Sequence, residues 1–183
     1  MSTVAAALLA TSMKLVASHA AYPGGAPPGF SGGFKEESCH ACHFHQPLNA
    51  APGKITIDGV PARYAPGARY VITVTLTRSD MKRAGFQLAA RFKDGGGQAG
   101  SLAPGNSDVS RVSIGRDGTV QYANQNGAGS VVAEPGIARW TVEWIAPAAG
   151  GPVVIHVAAN AADGNESADG DYIYTASADI VPP

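Results

Sequence analysis

The sequence predicts an all-β protein, an antiparallel sandwich of two sheets preceded by an irregular N-terminal arm. Three observations carry this. Apolar residues alternate with polar ones in several runs beyond residue 54, and Gly/Pro-rich turns separate those runs. No segment after the first twenty residues sustains a helical period.

In chain order, residues 1–20 read as a signal peptide. Val4 to Leu9 is a small apolar run, and Ser18-His19-Ala20 offers the small residues at which a signal peptidase cuts. No Lys or Arg precedes that run and Lys14 interrupts the stretch after it, a pattern that a start codon assigned too far downstream would produce. The alternative is a short helix that stays on the protein. No later stretch approaches the ~18 apolar residues that span a bilayer, so no transmembrane anchor is expected in the mature chain.

Residues 21–53 make up the arm. Between Tyr22 and Phe34 it reads Pro23-Gly24-Gly25-Ala26-Pro27-Pro28-Gly29, which excludes regular helix and strand. Cys39-His40-Ala41-Cys42-His43 comes next.

Residues 54–183 carry the strands. Tyr70, Ile72, Val74 and Leu76 alternate with Val71 and three threonines; Phe86, Leu88, Ala90 and Phe92 alternate with Gln87, Ala89 and Arg91; Trp140, Val142 and Trp144 alternate with Thr141 and Glu143. Each pattern is that of a strand with one buried face. Shorter candidates are Ile55–Val60, Val112–Ile114, Val120–Tyr122, Val153–Ala158 and Tyr172–Ala176. Pro66-Gly67, Asp94-Gly95-Gly96-Gly97, Asp117-Gly118 and Pro135-Gly136 mark turns between them. About seven or eight strands of this kind suit a sandwich, with Trp140 and Trp144 as core anchors.

Length and composition fit one domain: 183 residues, 45% hydrophobic and 15% charged. The formal charge is -1, with 13 Lys+Arg scattered among 14 Asp+Glu, so the footprint of a nucleic-acid binder is missing. No Ser/His/Asp order, phosphate-binding Gly loop or paired carboxylates suggest an enzyme.

Cys39-His40-Ala41-Cys42-His43 has the Cys-X-X-Cys-His form of c-type haem attachment. Two thiols separated by two residues on one turn can each add across a vinyl group of one porphyrin. The next residue, His43, is then held under the iron as proximal ligand. With two cysteines and five histidines in 183 residues, this arrangement arises by chance roughly once in three thousand orderings. That rejects accident without choosing the chemistry. A zinc site is one rival, using Cys39, Cys42 and His40, His43 or His45, although a second ligand pair is missing. A thioredoxin-like redox pair is another, although the strand pattern denies its βαβ context. A local disulfide is the third.

The remaining histidines and Met81 complete the candidates. His40 and His45 read as solvent-exposed or as hydrogen-bond partners of a haem propionate. His156 reads as a core or edge residue of its strand. A mature chain beginning at His19 could bind copper through its amine and ring. Met81, in the polar turn Ser79-Asp80-Met81-Lys82-Arg83, is a candidate distal iron ligand through its thioether; core packing is the competing role. Asp163 to Asp171 is acidic but lacks the EF-hand glycine, and reads as a solvated hairpin loop. It contains a formal glycosylation sequon, Asn165-Glu166-Ser167.

From Cys39 to Tyr174 the chain resembles bacterial extracytoplasmic proteins with a reelin-like (Reeler) domain, often described as choice-of-anchor domain proteins. The matching segments are Ser38–Phe44, Pro61–Gly67 with Tyr70–Val74, Ala84–Leu88, Trp144–Pro147, Ala159–Gly164 and Gly170–Tyr174. The resemblance implies an immunoglobulin-like β-sandwich, secretion, and a haem motif just ahead of the first strand. Such relatives often carry His-Thr near Tyr122, where this chain has Ala123-Asn124-Gln125, so a distal ligand from that position is unavailable. They often end in an anchor or sorting tail, where this chain has Val181-Pro182-Pro183, which implies a free product.

These readings converge on a periplasmic or secreted monohaem c-type cytochrome with one covalent haem, an electron carrier and not an enzyme. Its expected partners are a redox protein or further copies contacting through the haem. Two alternatives stay open: a secreted binding or adhesion module whose Cys-X-X-Cys is a disulfide or minor metal site, and a haem sensor or enzyme with an open axial position.

Overall fold

A computed structural model describes residues 22–182; the signal-peptide expectation for 1–20, and His19 with it, lies outside the described residues. Nine strands succeed one another: β1 (Lys54–Asp58), β2 (Arg69–Thr77), β3 (Arg83–Phe92), β4 (Ser101–Pro104), β5 (Ser110–Ile114), β6 (Gln121–Gln125), β7 (Ile137–Ile145), β8 (Val153–Ala162) and β9 (Tyr172–Ile180). One sheet has the order β1-β2-β7-β4 and the other β5-β6-β3-β8-β9. All these pairings are antiparallel. The predicted sandwich is therefore the fold, and β1 begins where the arm was expected to end. The described helical content is two short 3-10 turns, Cys39–Ala41 and Ala128–Ser130, and no described helix is long and apolar enough to cross a membrane.

The alternation seen in the sequence builds the core. Ile72, Val74 and Leu76 of β2 point inward beside Trp140, Val142 and Trp144 of β7, and Phe86, Leu88 and Ala90 of β3 face them. Trp140 stacks on Phe86 with centroids 4.7 Å apart, and Trp144 stacks on Tyr70 at 5.6 Å. Each indole N–H also finds a backbone acceptor, on Gly129 for Trp140 and on Ala99 for Trp144.

One expectation needs correcting. The run at 86–92 reads as a strand with one buried face, yet Gln87 and Ala89 are as buried as Phe86 and Leu88. In β8, Val154 and Ala158 are buried on the outer face as well. The cause is the arm, which lies across the outside of the five-stranded sheet. Gln87 accepts from the Phe30 N–H at 2.6 Å and donates to the Pro27 carbonyl at 2.8 Å. Arg111 in β5 reaches the carbonyls of Gly24 and Gly25. Further along, Glu36 accepts from the Ser31 hydroxyl, the Tyr122 hydroxyl and the Arg91 guanidinium. Phe34, held at a left-handed φ of 54°, packs edge-on against His156 at 5.4 Å and under the Arg91 guanidinium at 4.7 Å. The arm's last stretch is tied to β9: Asn49 donates to the Ile173 carbonyl and accepts from the Thr175 N–H, and the Tyr174 hydroxyl donates to the Ala50 carbonyl. The arm is irregular, as expected, but it is a packed layer.

Candidate functional site

The cysteine motif sits on this arm, over β8. Ser38 is extended and accepts the His40 N–H through its hydroxyl, which starts the 3-10 turn Cys39–Ala41. The Cys42 and His43 N–H groups both return to the Cys39 carbonyl, at 3.3 and 3.1 Å. One tight turn thus carries both thiols and the imidazole. All three line the same half-open cavity, about 730 Å³ in volume, between the arm and one end of the five-stranded sheet. Its walls come from Tyr22, Pro23, Pro27 and Phe30 of the arm, Ala84 and Phe86 of β3, and the loop between β8 and β9. Arg83 and Glu166 supply charge at the margin, and Gln125 and Ser130 hydrogen-bonding groups. The volume lies in the usual range for a cofactor pocket.

The cysteines are free. Burial pushes the Cys39 thiol up to about 12; hydrogen bonding from its own backbone N–H opposes this, and Cys42 beside it adds to the rise. A thiol held protonated in this way is the opposite of the low-pKa nucleophile a thioredoxin-like pair requires. Among the described residues no three His, Cys, Asp or Glu side chains converge on a metal-binding group.

His43 is the most constrained histidine of the motif. Its Nδ1 lies 2.8 Å from Oδ2 of Asp171, whose side chain is 3% exposed. The Asn160 amide, 3.4 Å from the same Nδ1, donates to Asp171. A carboxylate only accepts, so the shared proton sits on Nδ1, and in the neutral ring the lone pair is then on Nε2. That is the tautomer an iron-ligating imidazole needs. Two thiols on one turn, one imidazole with Nε2 available and apolar cavity walls are a donor set that fits a covalently held haem.

The other sequence candidates fall elsewhere. His40 bonds the Gln46 carbonyl at 2.9 Å, and His45 pairs with the exposed Asp169 at 2.7 Å. His156 is half-buried beneath Phe34 on the outer face of β8, an interior strand, so it is neither a core nor an edge residue. Met81 is 4% exposed and packs in the core between the sheets, not in the solvated turn expected for it, and it is not among the residues lining the cavity. Its neighbour Arg78 folds back over the Tyr172 ring and bonds Asp80 and the Tyr174 hydroxyl, which turns this segment inward.

Sequence reasoning missed Asp171 and Asn160. The segment 163–171 is a hairpin loop, but Asp171 at its end is buried and accepts from the Asp163 N–H at 3.2 Å and from Asn160 Nδ2 at 3.0 Å. A signal existed: Asn160 interrupts the otherwise apolar end of β8, where a lone amide needs a polar partner.

No protein-family model matches the chain, and no curated protein matches it. Among solved structures, the Reelin-N domain of F-spondin is similar with 18% identity and a TM-score of 0.50, over 79% of this chain and 97% of that one. The human F-spondin reeler domain gives 20% identity and a TM-score of 0.48 over 72% and 89%. A cohesin module from the Clostridium perfringens family 33 glycoside hydrolase gives 12% and 0.47 over 71% and 96%. The first of these likenesses shows that the fold is reeler-like.

Proposed function

We propose that this chain is an exported, monohaem c-type cytochrome that carries electrons between proteins. The observation that carries the reading is the turn Cys39–Ala41, which sets both thiols and His43 together on the wall of one apolar cavity. Each thiol S–H would add across one porphyrin vinyl group, sulfur to one carbon and hydrogen to the other, so attachment consumes no electrons. Haem bound there supplies one-electron chemistry, ferric to ferrous and back. The chain's own contribution is to orient the His43 imidazole, exclude water with Phe30 and the prolines of the arm, and offer Arg83 to a propionate. Phe44 (54% exposed) and Leu48 (44% exposed) lie just past the motif, an apolar surface suited to brief contact with a redox partner or another copy.

The test is maturation in a host competent for cytochrome c assembly. The expected result is a Soret band and a mass gain of one haem that survives acid-acetone extraction. Cys42→Ala is expected to weaken or abolish retention. Correctly matured protein without a Soret band would transfer the chain to the binding-module reading. Burial of Met81 in the core favours a second reading, a haem with an open or externally supplied sixth position. Binding of carbon monoxide to the reduced protein separates the two.

A further inference from the structure

We infer that Asp171 is the positioning residue of His43: held by Asn160, its carboxylate keeps the proton on Nδ1 and lowers the reduction potential of iron ligated at Nε2. The inference rests on the haem reading and deepens it.

The geometry is a fixed acceptor meeting a ring carried by a separate layer. Asn160 belongs to β8, opposite Gly85 in β3 and Ile173 in β9, so it stands on the interior of a three-strand ladder. Asp171 immediately precedes β9. Its Oδ1 takes the Asp163 N–H, while its Oδ2 takes Asn160 Nδ2 at 3.0 Å and faces His43 Nδ1 at 2.8 Å. The carboxylate therefore cannot swing away, and it fixes where the ring on the arm must lie. His45 shows the contrast: its acidic partner Asp169 has a side chain 69% exposed, in water and free to move.

A carboxylate hydrogen-bonded to the far nitrogen of a ligating imidazole makes that ring a more basic ligand. A more electron-rich ligand favours ferric over ferrous iron, which lowers the potential. In a buried setting the effect is not screened away by solvent.

The experiment is a redox titration of the matured holoprotein. Asp171→Asn is expected to shift the ferric/ferrous equilibrium about tenfold toward ferrous, an upward change of ~59 mV for a one-electron couple. Asp169→Asn removes the same charge from the exposed neighbour and is expected to shift it less than about twofold. Equal shifts in the two variants would overturn the inference, because loss of net charge would then explain both. If Asp171→Asn fails to fold, nitrogen-15 spectra of the reduced wild-type protein decide. An exchange-protected proton on His43 Nδ1 is expected, and an Nδ1 proton that exchanges as fast as that of the exposed His45 ring overturns the pairing. Failure of the haem reading looks different: no covalent haem is found, yet the same spectra of the chain still report the His43 tautomer.

Discussion

Glu36→Ala is expected to free the arm from the sandwich while the sheets stay folded, and the size of the effect comes from burial. Glu36 and Arg91 pair with side chains only 17% and 15% exposed. Removing one partner of a buried pair strands the other charge, at about 3–5 kcal/mol when the pair is fully enclosed. Here Arg91 keeps the Gly96 carbonyl and its place over Phe34, and some solvent reaches it, so about 3 kcal/mol is the better figure. At 1.4 kcal/mol per decade that raises the population of the undocked arm roughly hundredfold. Limited proteolysis reads this population directly when opening and closing outpace cleavage. Cleavage within residues 22–38 should therefore accelerate about hundredfold, while the urea midpoint reported by Trp140 and Trp144 fluorescence moves far less. The control is Lys93→Ala, which breaks a pair 56% and 66% exposed and should change little. A Glu36→Ala protein that resists cleavage as well as Lys93→Ala does would refute the latch.

Trp144→Ala should cost about 3–5 kcal/mol in urea unfolding, since the indole is fully buried, stacked on Tyr70 and bonded to Ala99. Gly33→Ala should undock the arm as Glu36→Ala does, because its Cβ would stand 2.3 Å from the His156 ring; proteolysis indistinguishable from wild type would contradict this. Stability should also depend on pH through His156. Burial first, with Arg91 adding and Glu36 and Asp179 opposing, holds this imidazole below its ordinary 6.5. The unfolded chain then binds the proton first, so stability is intact above 6.5 and falls as the pH drops below it. Urea midpoints across that range should slope less in His156→Phe than in wild type.

The long alternating runs were legible because an interior between two sheets leaves a period-two trace, and β2 and β7 bear it cleanly. β4 was not, because Ser101–Pro104 is too short to alternate and owes its strand geometry to pairing with β7. The second buried face of β3 and β8 was hidden for another reason. It depends on a Pro/Gly segment folding back over the sheet, and no local pattern records that. Within the site, the spacing of Cys39, Cys42 and His43 announced itself, since all three lie on one turn. Asp171 did not: it is brought to His43 by the sandwich, across more than a hundred residues, and in sequence it is one acid among several in a polar loop. At Met81 the competing core role holds: Asp80, Lys82 and Arg83 suggest solvent, while the backbone turns its side chain inward.

The order in which these pieces come off the ribosome bears on the cysteines. Both thiols precede every described strand, whereas the residues that hold His43 are delivered last: Asn160 in β8 and Asp171 just before β9. The central pairings are remote as well, with Val74 opposite Trp140 and Leu88 opposite Val157, so neither sheet can close on a half-made chain. A molecule crossing a membrane N-terminus first would thus hold Cys39 and Cys42 open to covalent chemistry throughout its passage. Once β9 zips onto β8 and the arm settles, both cysteines stand half-buried on the cavity wall. On the haem reading, attachment is easiest before the last strand pairs.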